Sequence, residues 1–301
     1  MKYTDLHCDT AFEMYKKRER LRNNSLHIDL DKTREFERYT QIFAIWSDNE
    51  KSDDEVYKDF FHIKDRFFEE LKTNNIPLLL SGSEYEKSAQ NCAAFLAVEG
   101  GSLLGRDISR LYRLYECGVR LLTLVWGGEN HIGGAHDTDI GLSDFGIDVV
   151  RRCEELGIII DVSHLSDKGF YRLADIAKKP FIASHSSSRS AYNHTRNLTD
   201  EQFLIIKEMG GVVGISFADI HLAEKAALGD IIRHIEHYLS LGGEDTVSLG
   251  CDFDGADMPE GIRGIESIPA LAAEFERYGF RHELTEKFFY KNADRFIINN
   301  L

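Results

Sequence analysis

The sequence predicts an α/β protein, a (β/α)8 TIM-type barrel with allowance for distortion. Eight near-continuous apolar runs of strand length are spread along the chain. Segments of helical periodicity separate them, which is the pattern of a parallel sheet with covered faces. Residue types that bind metals recur where those runs end, and barrels of this kind carry their active sites at the C-terminal strand ends. No linker, low-complexity run or internal repeat interrupts residues 1–301, so one domain is expected.

The first strand closes on Asp5-Leu6-His7-Cys8-Asp9, with helical residues over 11–20 behind it. Gln41-Ile42-Phe43-Ala44-Ile45-Trp46 is the second strand. Ser52 with Glu55 three positions on makes a capping box. The helix it opens repeats apolar residues at Val56, Phe60, Ile63, Phe67 and Leu71, until Asn74-Asn75 and Pro77 stop it. The third strand, 93–98, closes on Glu99-Gly100-Gly101, and Leu103, Leu104, Ile108, Leu111 and Leu114 mark the helix after it. The fourth strand is expected over 119–126, before a loop rich in glycine, histidine and aspartate. A helix over 144–156 ends at Gly157, a residue suited to a left-handed C-terminal cap. The fifth strand, 158–162, reaches Ser163-His164, and the sixth, 181–183 after Pro180, reaches Ser184-His185. Thr199 and Gln202 cap the next helix, and 212–216 is the seventh strand. After a helix over 230–241, the eighth strand, 247–251, runs into Asp252-Phe253-Asp254-Gly255, and the tail from 268 is helical.

Composition narrows the class. With 43% hydrophobic and 29% charged residues the chain can bury a substantial core. A formal charge of -15 argues against nucleic acid or an anionic membrane as partner. Met1-Lys2-Tyr3-Thr4-Asp5 lacks the apolar stretch of a secretory signal, and the closing Phe296-Ile297-Ile298 run is too short for a span or anchor. Five cysteines without paired spacing suit a reducing compartment, so a cytoplasmic enzyme is expected. A homodimer is compatible with all of this.

His7 and Asp9 lie two apart, and in a strand such positions point the same way. Alone, His-x-Asp signals little. Together with Glu99, His164, His185 and Asp252, each at a different strand's C-terminal end, it points to a metal centre. Three histidines and two or three carboxylates exceed what one four-coordinate zinc requires, which suggests two ions. The two oxygens of Glu99 suit a bridge between cations about 3.5 Å apart. A water shared by two zinc ions ionises near neutral pH and gives a hydroxide nucleophile.

The chain resembles the renal or membrane dipeptidase family of zinc peptidases, related to the amidohydrolases. The matching stretches are Asp5-Leu6-His7-Cys8-Asp9-Thr10, Val98-Glu99-Gly100-Gly101, 118–124, Ile160-Asp161-Val162-Ser163-His164, Ser184-His185-Ser186-Ser187, Arg196-Asn197 and 250–255. The resemblance implies that His7, Asp9 and Glu99 hold one zinc and that Glu99, His164 and His185 hold the other. It implies that Asp252 passes the proton to the leaving amine; Asp254, two positions on and able to share the same face of an extended chain, is the competing candidate. It also implies that Arg196 holds the carboxylate of a small dipeptide, for which a planar guanidinium fork is suited. Tolerance of a D-residue in second position is expected from the family alone. On residue type by itself, Arg196 would be a surface arginine.

Two further substrate-binding positions follow from a departure. Where the animal enzymes carry a histidine that contacts the reacting carbonyl oxygen, this chain has Trp126. His131, on the loop beyond, is the candidate replacement. His234 and His237, three apart on a helix, are expected to face solvent. Ser186-Ser187-Ser188 has no Gly-x-Ser-x-Gly elbow around it and is not read as nucleophilic. The main reading is a dinuclear zinc dipeptidase. The alternatives are an amidohydrolase acting on N-acyl amino acids or lactones, and a barrel-type binding protein without chemistry.

Overall fold

The computed structural model describes residues 1–48, 50–88 and 90–301. Among them are seven strands: β1 (Lys2–Cys8), β2 (Arg38–Trp46), β3 (Cys92–Glu99), β4 (Val119–Thr123), β5 (Ile159–Asp161), β6 (Val213–Ile215) and β7 (Val247–Leu249). They form one sheet in the order β5-β4-β3-β2-β1-β7-β6, parallel throughout. The expected sixth strand survives as two bridging residues, Ile182 beside Asp161 and Ala183 beside Val213. Its backbone still links the sheet's two ends, with Val162 N donating to Ile182 O at 2.8 Å and Gly214 N to Ala183 O at 2.8 Å. The sheet therefore curls into a TIM-like α/β barrel whose sixth stave is shortened.

The cause of the shortening is a side chain. One oxygen of Asp161 accepts the amides of Ser163 at 3.0 Å and Ser184 at 2.8 Å, so a carboxylate stands in for ladder carbonyls. The expected fourth strand also stops early, at Thr123 rather than 126. There Leu124 O turns to the amide of Gly101 and to the side chain of Asn130. The expected seventh and eighth strands are β6 and β7.

Helix signals read from the sequence are met where local chemistry specifies them. The capping box at Ser52 opens the helix Asp53–Thr73, and its stripe from Val56 to Leu71 is buried. Gly157 ends Asp144–Leu156 at φ 76°, in the left-handed region, and Thr199 caps Asp200–Glu208 through Gln202.

Side-chain alternation then builds two cores. Ala94, Leu96 and Val98 of β3 pack outward with the helices, whereas Ala93, Phe95 and Ala97 face the lumen. The lumen series continues with Leu6, Ile42, Leu121, Ile159, Ile182 and Val212, and Ala293, Phe296 and Ile297 of the helix Asn292–Asn300 plug its lower end. Two residues beyond Ala97, Leu121, Ile159, Ile182 and Val212 come Glu99, Thr123, Asp161, Ser184 and Gly214. The apolar lumen is thus roofed by a polar layer, beneath the rim that carries the ligand-type residues. A Cβ at Gly250 would lie 1.7 Å from Ser184 O, so only glycine lets the segment after Ala183 settle there.

Phe296→Ala would leave a void in the plug without touching the roof. It is expected to lower the unfolding free energy by about 3–5 kcal/mol, read in a urea titration, while metal content per folded chain stays the same.

Candidate metal site at the C-terminal rim

The register of β1 shifts between Asp5 and Cys8, and buried Asp5 anchors this irregularity by accepting the amides of His7 at 3.0 Å and Cys251 at 3.1 Å. His7 Nε2 then lies 3.3 Å from Asp9 Oδ2, 3.6 Å from Glu99 Oε1 and 3.8 Å from Asp252 Oδ1. Glu99 Oε1 is 3.0 Å from His164 Nε2 and 3.2 Å from His185 Nε2. The rings of His7 and His185 stack at 3.8 Å. Ligand atoms of His7, Asp9 and Glu99 lie within 4.8 Å of one another, as do those of Glu99, His164 and His185, and those of His7, His185 and Asp252. All six strand-end groups meet.

Backbone strain helps aim them. His164, Asp252 and Asp254 have φ of 70°, 63° and 68°, a region that costs non-glycine residues energy and is retained where surrounding contacts impose it. Gly255 lets two carboxylates close in: a Cβ there would be 2.2 Å from Asp9 Oδ2 and 2.4 Å from Asp252 Oδ1.

Charge is concentrated in this buried space. Burial, reinforced by Asp9 and Asp252, pushes the Glu99 carboxyl well above its ordinary range. Burial likewise raises Asp252 to about 6, with Asp9 adding to the shift and His7 and Arg196 opposing it. Burial alone would depress His7, but Glu99, Asp9 and Asp252 hold it up at about 10. His164 and His185 fall well below their usual value, through burial and then through Arg196 and neighbouring histidines. Among the described residues, Asp9 Oδ1 and His7 Nδ1 are buried with no hydrogen-bond partner. A buried anionic oxygen without a donor is costly unless a cation serves it. Imidazole nitrogens and carboxylate oxygens converging in this way fit a divalent metal such as zinc.

The remaining expected residues divide. Arg196 is 3% exposed, not on the surface as its type alone suggests. Its Nη1 donates to Ser186 Oγ at 2.8 Å and Nη2 to His185 O at 2.9 Å, while buried Nε has no partner among the described residues. Trp126 packs against Trp46 with ring centroids 4.9 Å apart, and both line a cleft of about 170 Å³ together with Phe12, Glu13, Asp9 and Glu99. His131 is not brought to this cluster. Its Nε2 faces Asp53 Oδ2 at 3.0 Å, and Arg106 Nε donates to its Nδ1 at 3.3 Å, so hydrogen bonds near the surface hold the ring. Asp254 is committed locally, accepting from Thr10 Oγ1 at 2.6 Å and His27 N at 2.7 Å.

His234, expected in solvent, is fully buried and takes the Ser188 amide at 2.9 Å on Nδ1, with Nε2 at 3.1 Å from Leu222 O. Two residues were missed, Asp161 and Ser184, which sit directly behind His185. The alternation that singled out His7 and Asp9 would have found Asp161, two residues past inward-facing Ile159.

The TIM-like barrel thus gathers three imidazoles and three carboxylates on its C-terminal rim, where they could hold metal ions. The chain belongs to the membrane dipeptidase family, peptidase family M19, whose family model matches residues 1–299. It is similar to an uncharacterized protein from the pqqA 5′ region of Klebsiella pneumoniae, 31% identical over 238 residues, 74% of this chain and 88% of that protein. An uncharacterized dipeptidase of Schizosaccharomyces pombe is 32% identical over 196 residues, 62% of this chain but only 48% of the yeast protein. Among solved structures, dipeptidase AC, a metallo-peptidase of family M19, superposes with a TM-score of 0.94 at 26% identity, over 100% of this chain and 98% of that one. A Rhodobacter sphaeroides metallo-peptidase liganded with a phosphinate mimic of L-Ala-D-Ala shares the fold, with a TM-score of 0.93 at 24% identity over 100% of this chain and 99% of that one.

Gly255→Ala should displace Asp9 and Asp252 together. The expected result is a zinc affinity lower by about tenfold or more, the scale of disturbed ligand support, in competition with a chromophoric chelator; a superimposable binding curve would rule this packing role out.

Proposed function

We propose that this chain is a dinuclear zinc dipeptidase, acting through residues 1–301 as one hydrolase unit. The observation that carries the reading is the reach of one atom: Glu99 Oε1 lies within 3.6 Å of imidazole nitrogens on three different strand ends. In this reading His7, Asp9 and Glu99 hold one ion, and Glu99, His164 and His185 hold the other. Two such ions supply a water ionised near neutral pH and polarisation of the scissile carbonyl.

The chain's own groups do the rest. Arg196 receives the substrate's terminal carboxylate with the donors left over from Ser186 and His185, its charge undiluted by solvent. Asp252 moves the proton to the leaving nitrogen. Asp254 is the weaker candidate, since its oxygens already accept from Thr10, His27 and Ile28. Trp126 with Trp46 walls the cleft and excludes water, and neither Trp126 nor His131 supplies an imidazole for the carbonyl oxygen. The same cleft is lined by Asp9, Glu99 and Asp254 and by Glu13, which pairs with Lys16 at 3.1 Å. A lactone would leave Arg196 without a carboxylate to bind. Tolerance of a D-residue in second position belongs to the same reading. The five free cysteines support a reducing, cytoplasmic setting.

Protein loaded with zinc is expected to carry two ions per chain by elemental analysis and to hydrolyse L,L and L,D dipeptides in a panel with N-acyl amino acids and lactones. Turnover confined to the blocked amides or lactones would overturn the assignment. Asp252→Asn is expected to lower kcat by about 10²–10⁴-fold with both zinc ions retained, and unchanged turnover would remove Asp252 from the proton path.

A further inference from the structure

We propose that Asp161 and Ser184 form a positioning relay that fixes the tautomer of His185, so that Nε2 presents a bare lone pair to the rim. This goes one step beyond the assignment of His185 as a metal ligand and rests on it for its functional meaning.

Asp161 is fully buried on the lumen side of β5. Its Oδ1 accepts two backbone amides, Ser163 N at 3.0 Å and Ser184 N at 2.8 Å. Amides can only donate, so that oxygen is an acceptor. Its Oδ2 accepts two hydroxyls, Thr123 Oγ1 at 2.6 Å and Ser184 Oγ at 2.6 Å. Four donors thus surround one carboxyl group, two on each oxygen.

Ser184 has one hydroxyl hydrogen, and it is committed to Asp161. The competing target, Ser163 Oγ, is farther away at 3.4 Å. Ser184 Oγ therefore turns a lone pair toward His185 Nδ1, 2.7 Å away, and that contact requires the nitrogen to donate. A neutral imidazole carries one N–H, so Nε2 is left without a proton and faces His164 Nε2 at 3.0 Å and Glu99 Oε1 at 3.2 Å. The reverse direction would leave Ser184 Oγ and Asp161 Oδ2 facing each other at 2.6 Å with no hydrogen between them. The His185 backbone is held as well, because its N donates to Ser163 Oγ at 3.1 Å and Arg196 Nη2 donates to its O at 2.9 Å. His7 provides an internal contrast, since its Nδ1 has no such partner among the described residues.

Hydroxyl and carboxylate partners behind a ligating histidine typically change metal affinity by about 10–100-fold when removed. The tautomer is read directly on metal-free protein by long-range ¹H–¹⁵N correlation of labelled histidines at neutral pH. Wild type is expected to show His185 protonated at Nδ1. Ser184→Ala is expected to populate the Nε2–H form, and to weaken zinc binding about 10–100-fold with little change in thermal unfolding. Asp161→Asn offers a donor to Ser184, which frees the hydroxyl to donate to Nδ1, so it is expected to invert the tautomer. Should this variant fold poorly, Ser184→Ala carries the test. An Nε2–H ring in the wild-type protein, or a Ser184→Ala ring and zinc affinity equal to wild type, overturns the relay. Failure of the dipeptidase reading is a separate result, since the proton's position on His185 is measured without metal or substrate.

Discussion

Burying like charge in a small volume is the constraint around which this molecule is arranged. Asp9, Glu99 and Asp252 approach one another at the barrel rim, where water is scarce and His7 and Arg196 supply the opposing positive charge. Two unit charges at about 4 Å interact by roughly 4 kcal/mol even at an effective dielectric near 20. Such an arrangement is tolerable when something neutralises it. The choices open to the protein are to protonate a carboxyl, to hold an imidazolium at His7, or to admit a divalent ion. The raised Glu99, Asp252 and His7 values are the first two of these, and the partnerless Asp9 oxygen marks room for the third.

The barrel supplies the rigidity that keeps these groups from moving apart. Its lumen is apolar through the middle layers, closed below by Phe296 and Ile297, and capped above by Glu99, Thr123, Asp161 and Ser184. Each polar member of the cap is the next inward position on a strand whose lower positions are Ala, Phe, Leu or Ile. The shortened sixth stave belongs to the same design. By accepting two amides, Asp161 withdraws them from the ladder and places Ser184 and His185 over the lumen instead. Regular sheet is given up locally, and an oriented imidazole is gained.

Much of this was legible in the residues. Apolar runs and capping boxes act over a few positions, so the strands, the Ser52 and Thr199 caps and the Gly157 stop follow from short-range sterics and hydrogen bonding. The ligand set was legible because strand alternation and the one-sided placement of barrel sites convert strand ends into neighbours. Residue type alone falls short where a distant partner decides. Arg196 reads as a surface residue until Ser186 and the His185 carbonyl are placed against it. His131 reads as a candidate for the cleft until Asp53 and Arg106, from other segments, claim both ring nitrogens. His234 shares its helix with exposed residues, but Ser188 and Leu222 bury it.

The amino-acid order by itself determined the alternation of strands and helices, the family to which the chain belongs, and the six side chains carried at the rim. Those depend on periodicity and on residue type, and both are written locally. Only the tertiary structure decided which carboxylates crowd together, which arginine enters the core, and which oxygen stands behind His185. Such outcomes require groups up to some 250 positions apart, as Asp5 and Cys251 are, to meet within hydrogen-bonding distance, and only the closed barrel brings them there.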